Sequence, residues 1–149
     1  MTIRLHKNDL PDDYDPGSSV AIDTETMGLI PRRDRLCLVQ LSTGDNTADL
    51  VQISQDQETA PNLKRVLNDR SVLKLFHFAR FDVAVLLHRF GALTAPIYCT
   101  KIASRLVRTY TDRHGLKDLC RELIDVDLSK QQQSSNWGAE ELTQAQQEY

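Results

Sequence analysis

Apolar positions in this chain fall into short runs separated by polar breaks marked with glycine and proline. After the polar, proline-containing stretch 11–19, residues 20–23 predict a first strand ending at Asp23. Gly28 and Pro31 then break the chain before a charged loop over 32–35. Residues 36–41 predict a second strand, 42–46 a turn centred on Gly44, and 47–51 a third strand, together an antiparallel meander. Pro61 opens a predicted helix over 61–69, with Leu63, Val66 and Leu67 on one face.

Farther along, 72–76 is an apolar strand, 79–90 a helix stopped by Gly91, and 96–99 a brief strand. Residues 101–107 and 116–123 predict helices separated by the polar stretch 108–115, and 130–135 is a polar loop. In 139–149, Leu142, Ala145 and Tyr149 share a face at helical spacing. That segment has no Gly, Pro or basic cap, so the natural domain is expected to continue past Tyr149. A hairpin region followed by alternating strands and helices predicts an α/β fold, a mixed sheet flanked by helices.

A length of 149 residues suits one domain over 1–149. With 40% apolar and 26% charged residues, the composition is that of a soluble globular protein. A net charge of −3 argues against coating long nucleic acid through charge alone, yet leaves room for a nuclease whose site is itself acidic. The N-terminal region lacks a signal-peptide core and no apolar run reaches spanning length, so a cytoplasmic protein without a membrane partner is expected. Cys37, Cys99 and Cys120 are odd in number and form no C-x-x-C pair, which predicts free thiols.

The most telling chemistry is Asp23-Thr24-Glu25 at the end of an apolar run. In a strand, residues two apart share a face, so both carboxylates load one side with negative charge. A hard divalent cation, Mg²⁺ or Mn²⁺, is the simplest counter-charge; two solvated acids at a strand end are the plain alternative. His77-Phe78-Ala79-Arg80-Phe81-Asp82 adds another acid at a strand-to-helix junction, where the helix dipole also favours a carboxylate.

With these motifs in view, the sequence resembles the DEDD superfamily of 3′→5′ exonucleases, in the ribonuclease D-like branch whose last motif is Tyr-x-x-x-Asp. Tyr149 falls where that tyrosine belongs. The similarity is closer still to the nanoRNase C type of oligoribonuclease. It is carried by the runs at 33–37, 99–104, 109–117 and 129–135, and it covers nearly the whole chain. The motif's aspartate would fall four residues beyond Tyr149, where the sequence ends. A chain ending there is expected to bind metal poorly and to be weakly active or inactive.

This resemblance implies a ribonuclease H-like fold and a metal-dependent exoribonuclease that degrades very short single-stranded RNA, especially dinucleotides, to nucleoside monophosphates. It implies two divalent ions about 3.5–4 Å apart, held by Asp23, Glu25 and Asp82, with Tyr149 orienting the attacking water. It also implies a ring-like homo-oligomer. Thr26, Met27, Gly28, Leu29, His77 and Phe81 would border the substrate, Leu29 as a wedge between bases and Met27 and Phe81 against base faces. Taken by residue type alone, Leu29, Met27, Phe81 and Tyr149 also suit plain packing, and His77 a satisfied strand-end histidine. Phosphate contacts would come from among Lys101, Arg105, Arg108, Arg113, His114, Lys130, Gln132, Gln133 and Ser135, with the loop 130–135 preferred. Trp137 is read as a buried anchor rather than a base platform. Two other readings stand beside this one: ribonuclease D-like trimming of longer RNA or tRNA 3′ ends, and a noncatalytic nucleic-acid-binding module with vestigial acids.

Overall fold

The computed structural model describes residues 1–57, 59–129 and 131–149. Six strands, β1 (Thr2–Lys7), β2 (Ser19–Thr26), β3 (Leu36–Ser42), β4 (Thr47–Gln52), β5 (Leu73–Phe76) and β6 (Ile97–Cys99), form one sheet in the order β1-β4-β3-β2-β5-β6. The run β2-β3-β4 is antiparallel, while β1 pairs parallel with β4, and β5 parallel with both β2 and β6. Five helices accompany the sheet: α1 (Pro61–Asn68), α2 (Arg80–Phe90), α3 (Thr100–Val107), α4 (Leu116–Ile124) and α5 (Gln144–Gln147). The mixed α/β sheet flanked by helices predicted from patterning is the one observed.

Alternation along β2 divides the molecule. Val20 and Ile22 point into the larger core, where Val39, Leu41 and Val51 meet Leu63, Val66 and Leu67 of α1 and Val85, Leu86 and Phe90 of α2. Residues of the opposite parity, Ala21, Asp23 and Glu25, face the other side. There Leu38 and Leu50 pack with Trp137 and Leu142 of the C-terminal segment. Trp137 is buried, as an anchor should be. Pro61 starts α1, and Gly91 ends α2 in the left-handed conformation with φ 60°. All three cysteines are free. Among the described residues, no helix is long and apolar enough to cross a membrane.

Three elements depart from expectation. Strand β1 was not predicted; its polar side chains find partners far along the chain, above all on β4, where Arg4 and His6 both reach the buried Asp49 at 2.7 Å. Strand β2 runs on to Thr26, so Asp23 and Glu25 lie inside the strand rather than at its end. The predicted helix over 139–149 shrinks to α5. Thr143 caps it reciprocally with Gln146, and Gln146 also donates to the Asn136 carbonyl at 3.1 Å. Gln146 is therefore buried and Ala145 exposed, the reverse of the predicted face.

Candidate active site

Asp23 and Glu25 stand on one face of β2, opposite Gln40 and Leu38 of β3, with an irregular register at Glu25/Thr26. Thr24, between them, points the other way and donates its hydroxyl to Asp82 Oδ1 at 2.7 Å. Asp82 lies in the first turn of α2 and is buried. The third acid thus reaches the strand through the residue separating the first two.

The carboxyl groups feel one another. Burial, reinforced by the negative charges of Asp23 and Asp82, pushes the Glu25 pKa up to about 8. Burial also raises Asp82 to about 7, against the pull of the Thr24 hydrogen bond and with a further push from Asp23. Asp23 is raised by burial as well, with its hydrogen bond to the Thr24 backbone acting in the opposite sense. The phenol of Tyr149 is raised by burial and then by Glu25 and Asp23. Geometrically, Asp23 and Tyr149 line one cavity, and Asp82 is tied to β2 through Thr24.

A cavity of about 500 Å³ opens beside them, lined by Asp23, Leu50, Leu75, His77, Leu116 and Tyr149 among others; Glu25 and Asp82 stand outside its wall. Among the described residues, no group of three or more His, Cys, Asp or Glu side chains is placed so that it could hold a metal ion. The donors are nonetheless of the right kind for hard cations: carboxylate oxygens whose proton affinity burial raises. Mg²⁺ completes such open sets with water. Asp23, Glu25 and Asp82 supply oxygens of that kind.

His77 follows β5 and is oriented by Thr100. The Thr100 hydroxyl donates to the Phe76 carbonyl at 3.1 Å, which leaves its oxygen to accept from His77 Nδ1 at 2.9 Å. Burial, then the charge of Lys101, lowers the His77 pKa. On the β2–β3 loop Met27 is exposed and Leu29 is 84% exposed, so neither is a core residue. A Cβ at Gly28 would come within 2.3 Å of Asp34 Oδ2, so any other residue there would displace that carboxylate. Thr26 donates its hydroxyl to the Gly28 carbonyl and helps shape the loop.

Other predicted contacts fall elsewhere. Phe81 packs against the larger core. Arg108 is buried and consumed locally, donating to Ser104 Oγ at 2.9 Å, to the Arg113 carbonyl at 2.7 Å and to Glu122. It braces α3 against α4 and cannot reach solvent for a phosphate. His114 is likewise engaged, at 2.9 Å from Ser104 Oγ. Arg105, Arg113 and Gln133 are exposed, whereas Lys101, Gln132 and Ser135 are half-buried. Lys130 lies outside the described residues. Sequence reasoning missed Thr24, although its place in the alternation between two acids was the available signal. It also missed Thr100, whose role appears only once β5 and α3 are side by side.

The sequence profile of a family described as 3′-5′ exonuclease matches residues 7–149. This chain belongs to that family. Among curated relatives of this exonuclease, the Ribonuclease D of Granulibacter bethesdensis is 33% identical over 130 residues, covering 87% of this chain and 32% of the relative. Among solved structures, Brucella melitensis NrnC bound to pGG is 63% identical, with a TM-score of 0.94 over 100% of this chain and 72% of that one. The same Brucella protein with bound Mg²⁺ is 62% identical, also with a TM-score of 0.94, over 100% of this chain and 73% of that one. The exonuclease chain therefore spans about a third of the length of the curated relatives it matches.

Proposed function

We propose that this protein is a 3′→5′ exoribonuclease that hydrolyses very short RNA, dinucleotides above all, to nucleoside monophosphates. The observation that carries the reading is the arrangement of the acids, Asp23 and Glu25 on one face of β2 and Asp82 hydrogen-bonded to the Thr24 between them, with Asp23 and Tyr149 lining one cavity. When bound, two divalent ions, Mg²⁺ or Mn²⁺, would activate water and stabilise charge on the phosphorane-like transition state and the leaving oxygen. Asp23 would help to hold both ions, Glu25 the one that generates the nucleophile, and Asp82 the one that supports the leaving group. Tyr149 stays neutral, its pKa raised further above its ordinary value, so it orients the attacking water by hydrogen bond and does not remove its proton. Water adds to phosphorus, the bond from phosphorus to the 3′ oxygen breaks, and that oxygen leaves and is protonated.

Substrate contacts are assigned to Thr26, Met27, Gly28, Leu29 and His77 around the acids. Phosphate is assigned to the cations and amides that remain accessible, Lys101 and Arg105 with Gln132, Gln133 and Ser135. A relative 63% identical to this chain is described with pGG, a ligand of the proposed size class, and with Mg²⁺, one of the proposed ions. The curated relatives named Ribonuclease D favour a second reading, trimming of longer RNA.

The test is hydrolysis of two-residue against seven-residue RNA in Mg²⁺ or Mn²⁺, with Asp23→Ala alongside. Much faster turnover of the dinucleotide, and loss of about 10²-fold or more in the variant (the scale of one lost electrostatic contact), is expected. Equal or faster cleavage of the longer RNA would favour the trimming enzyme. Full activity in Asp23→Ala would remove the site assignment.

A further inference from the structure

The motif at 77–82 carries two phenylalanines, and the fold treats them in opposite ways. Phe81 turns inward onto the core, whereas Phe78 is 49% exposed and its backbone sits at φ 70°. That left-handed conformation is unusual for any residue with a side chain and a true outlier for a bulky one; glycine would adopt it without strain. Burial gives little in return, because half of the ring remains in solvent. Its one specific partner is a cation: Lys101 Nζ, from the first turn of α3, lies 4.5 Å from the ring centroid.

The location is informative. The Phe78 carbonyl accepts the Phe81 N–H at 3.1 Å, forming the turn that leads into α2, and Asp82 follows about one helical turn later. His77, its neighbour, lines the cavity beside Asp23. The β2–β3 loop carries the exposed Met27 and Leu29 at the other border of the acid set. An aromatic ring held outward at a strained junction, with an ammonium group over it, is a platform lacking its second layer.

We propose that Phe78 is a base platform of this exonuclease: a nucleobase of the substrate stacks on its ring, and Lys101 fixes the ring while offering positive charge to the adjoining phosphate. The inference rests on the exonuclease reading and deepens it. Stacking on an aromatic ring is tolerant of base identity, as suits an enzyme that clears short RNA of any sequence. Phe78 contacts substrate and takes no part in moving protons.

The left-handed backbone makes the test clean, since Phe78→Gly removes the ring and relieves strain together. Phe78→Asn, also at home in that conformation, is the second variant. Both should melt at or above the wild-type temperature. Both should raise KM for pGG about tenfold, within the range for loss of one base–aromatic stack, while kcat changes little. Phe78→Tyr should restore KM. A dinucleotide carrying 2-aminopurine should be quenched on binding to wild type and to Phe78→Tyr but not to Phe78→Gly, and an abasic analogue should bind all four proteins alike. Unchanged KM and quenching in Phe78→Gly, with wild type active, would overturn the platform and leave the exonuclease reading intact. An equal loss of affinity for the abasic analogue would also overturn it. A wild type that neither binds nor cleaves pGG would overturn both readings.

Discussion

Burial raises the proton affinity of Asp23, Glu25 and Asp82, and the charge of Asp23 adds to the effect at the other two. Glu25, near 8, and Asp82, near 7, keep protons that the unfolded chain releases near pH 4. Between those limits the folded state binds more protons than the unfolded one, so stability falls as pH rises. Acids with lowered pKa values, such as Asp34, Asp45 and Asp69, act in the opposite sense but are fully ionised above about pH 5. The metal-free protein is therefore expected to melt highest near pH 5 and to lose stability steadily toward pH 8. Glu25→Gln should flatten the slope, and Mg²⁺ at pH 8 should recover the loss by replacing protons as the counter-charge. Differential scanning fluorimetry across this range checks the prediction, and a flat or rising profile would contradict it.

At the level of elements, the C-terminal segment matters most, because it brings Tyr149 to the acids. Trp137 pins it: the indole is buried with Leu38, Leu50 and Leu142, and its ring centroid lies 5.9 Å from that of Tyr149. Trp137→Ala is expected to destabilise by about 3–5 kcal/mol and to lower kcat by displacing Tyr149. The Trp137 Nε1–H is buried without a partner among the described residues. Trp137→Phe therefore loses volume but no hydrogen bond, and should be milder in both denaturant titration and turnover. A Trp137→Ala protein of wild-type stability would show that the segment is held some other way.

The elements readable from the chain are those whose signals are local. Continuous apolar runs mark β3 and β5, Pro61 and Gly91 bound α1 and α2, and strand alternation foretells that Asp23 and Glu25 share a side. Strand β1 reads as polar because Arg4, His6 and Lys7 meet their partners Asp49 and Gln52 more than 40 residues away. Arg108 looked available for phosphate for the same reason: Glu122, which claims it, is fourteen residues on. The outward turn of Phe78 is equally hidden from the chain, because helical spacing does not register a single left-handed residue ahead of the first turn.

Over the whole molecule, the two sheet faces are covered unequally, and α3 and α4 expose Ile102, Leu106, Val107, Leu123 and Ile124. If this chain forms the ring-like homo-oligomer that the sequence resemblance implies, these exposed apolar side chains on two successive helices are where the contact is expected. Light scattering should find an oligomer at micromolar concentration, and Leu106→Glu with Ile124→Glu should reduce its mass. A monomeric wild type would refute that expectation.

The central strand that carries the acids also carries part of the core, with the two duties assigned to alternate residues. A slip of β2 by one position would drive both carboxylates under α2 and turn Val20 and Ile22 out into water. The pairing that closes the protein's interior is thus the same pairing that aims its chemistry. Any molecule of this chain that has folded at all already presents its acids on the side where they are used.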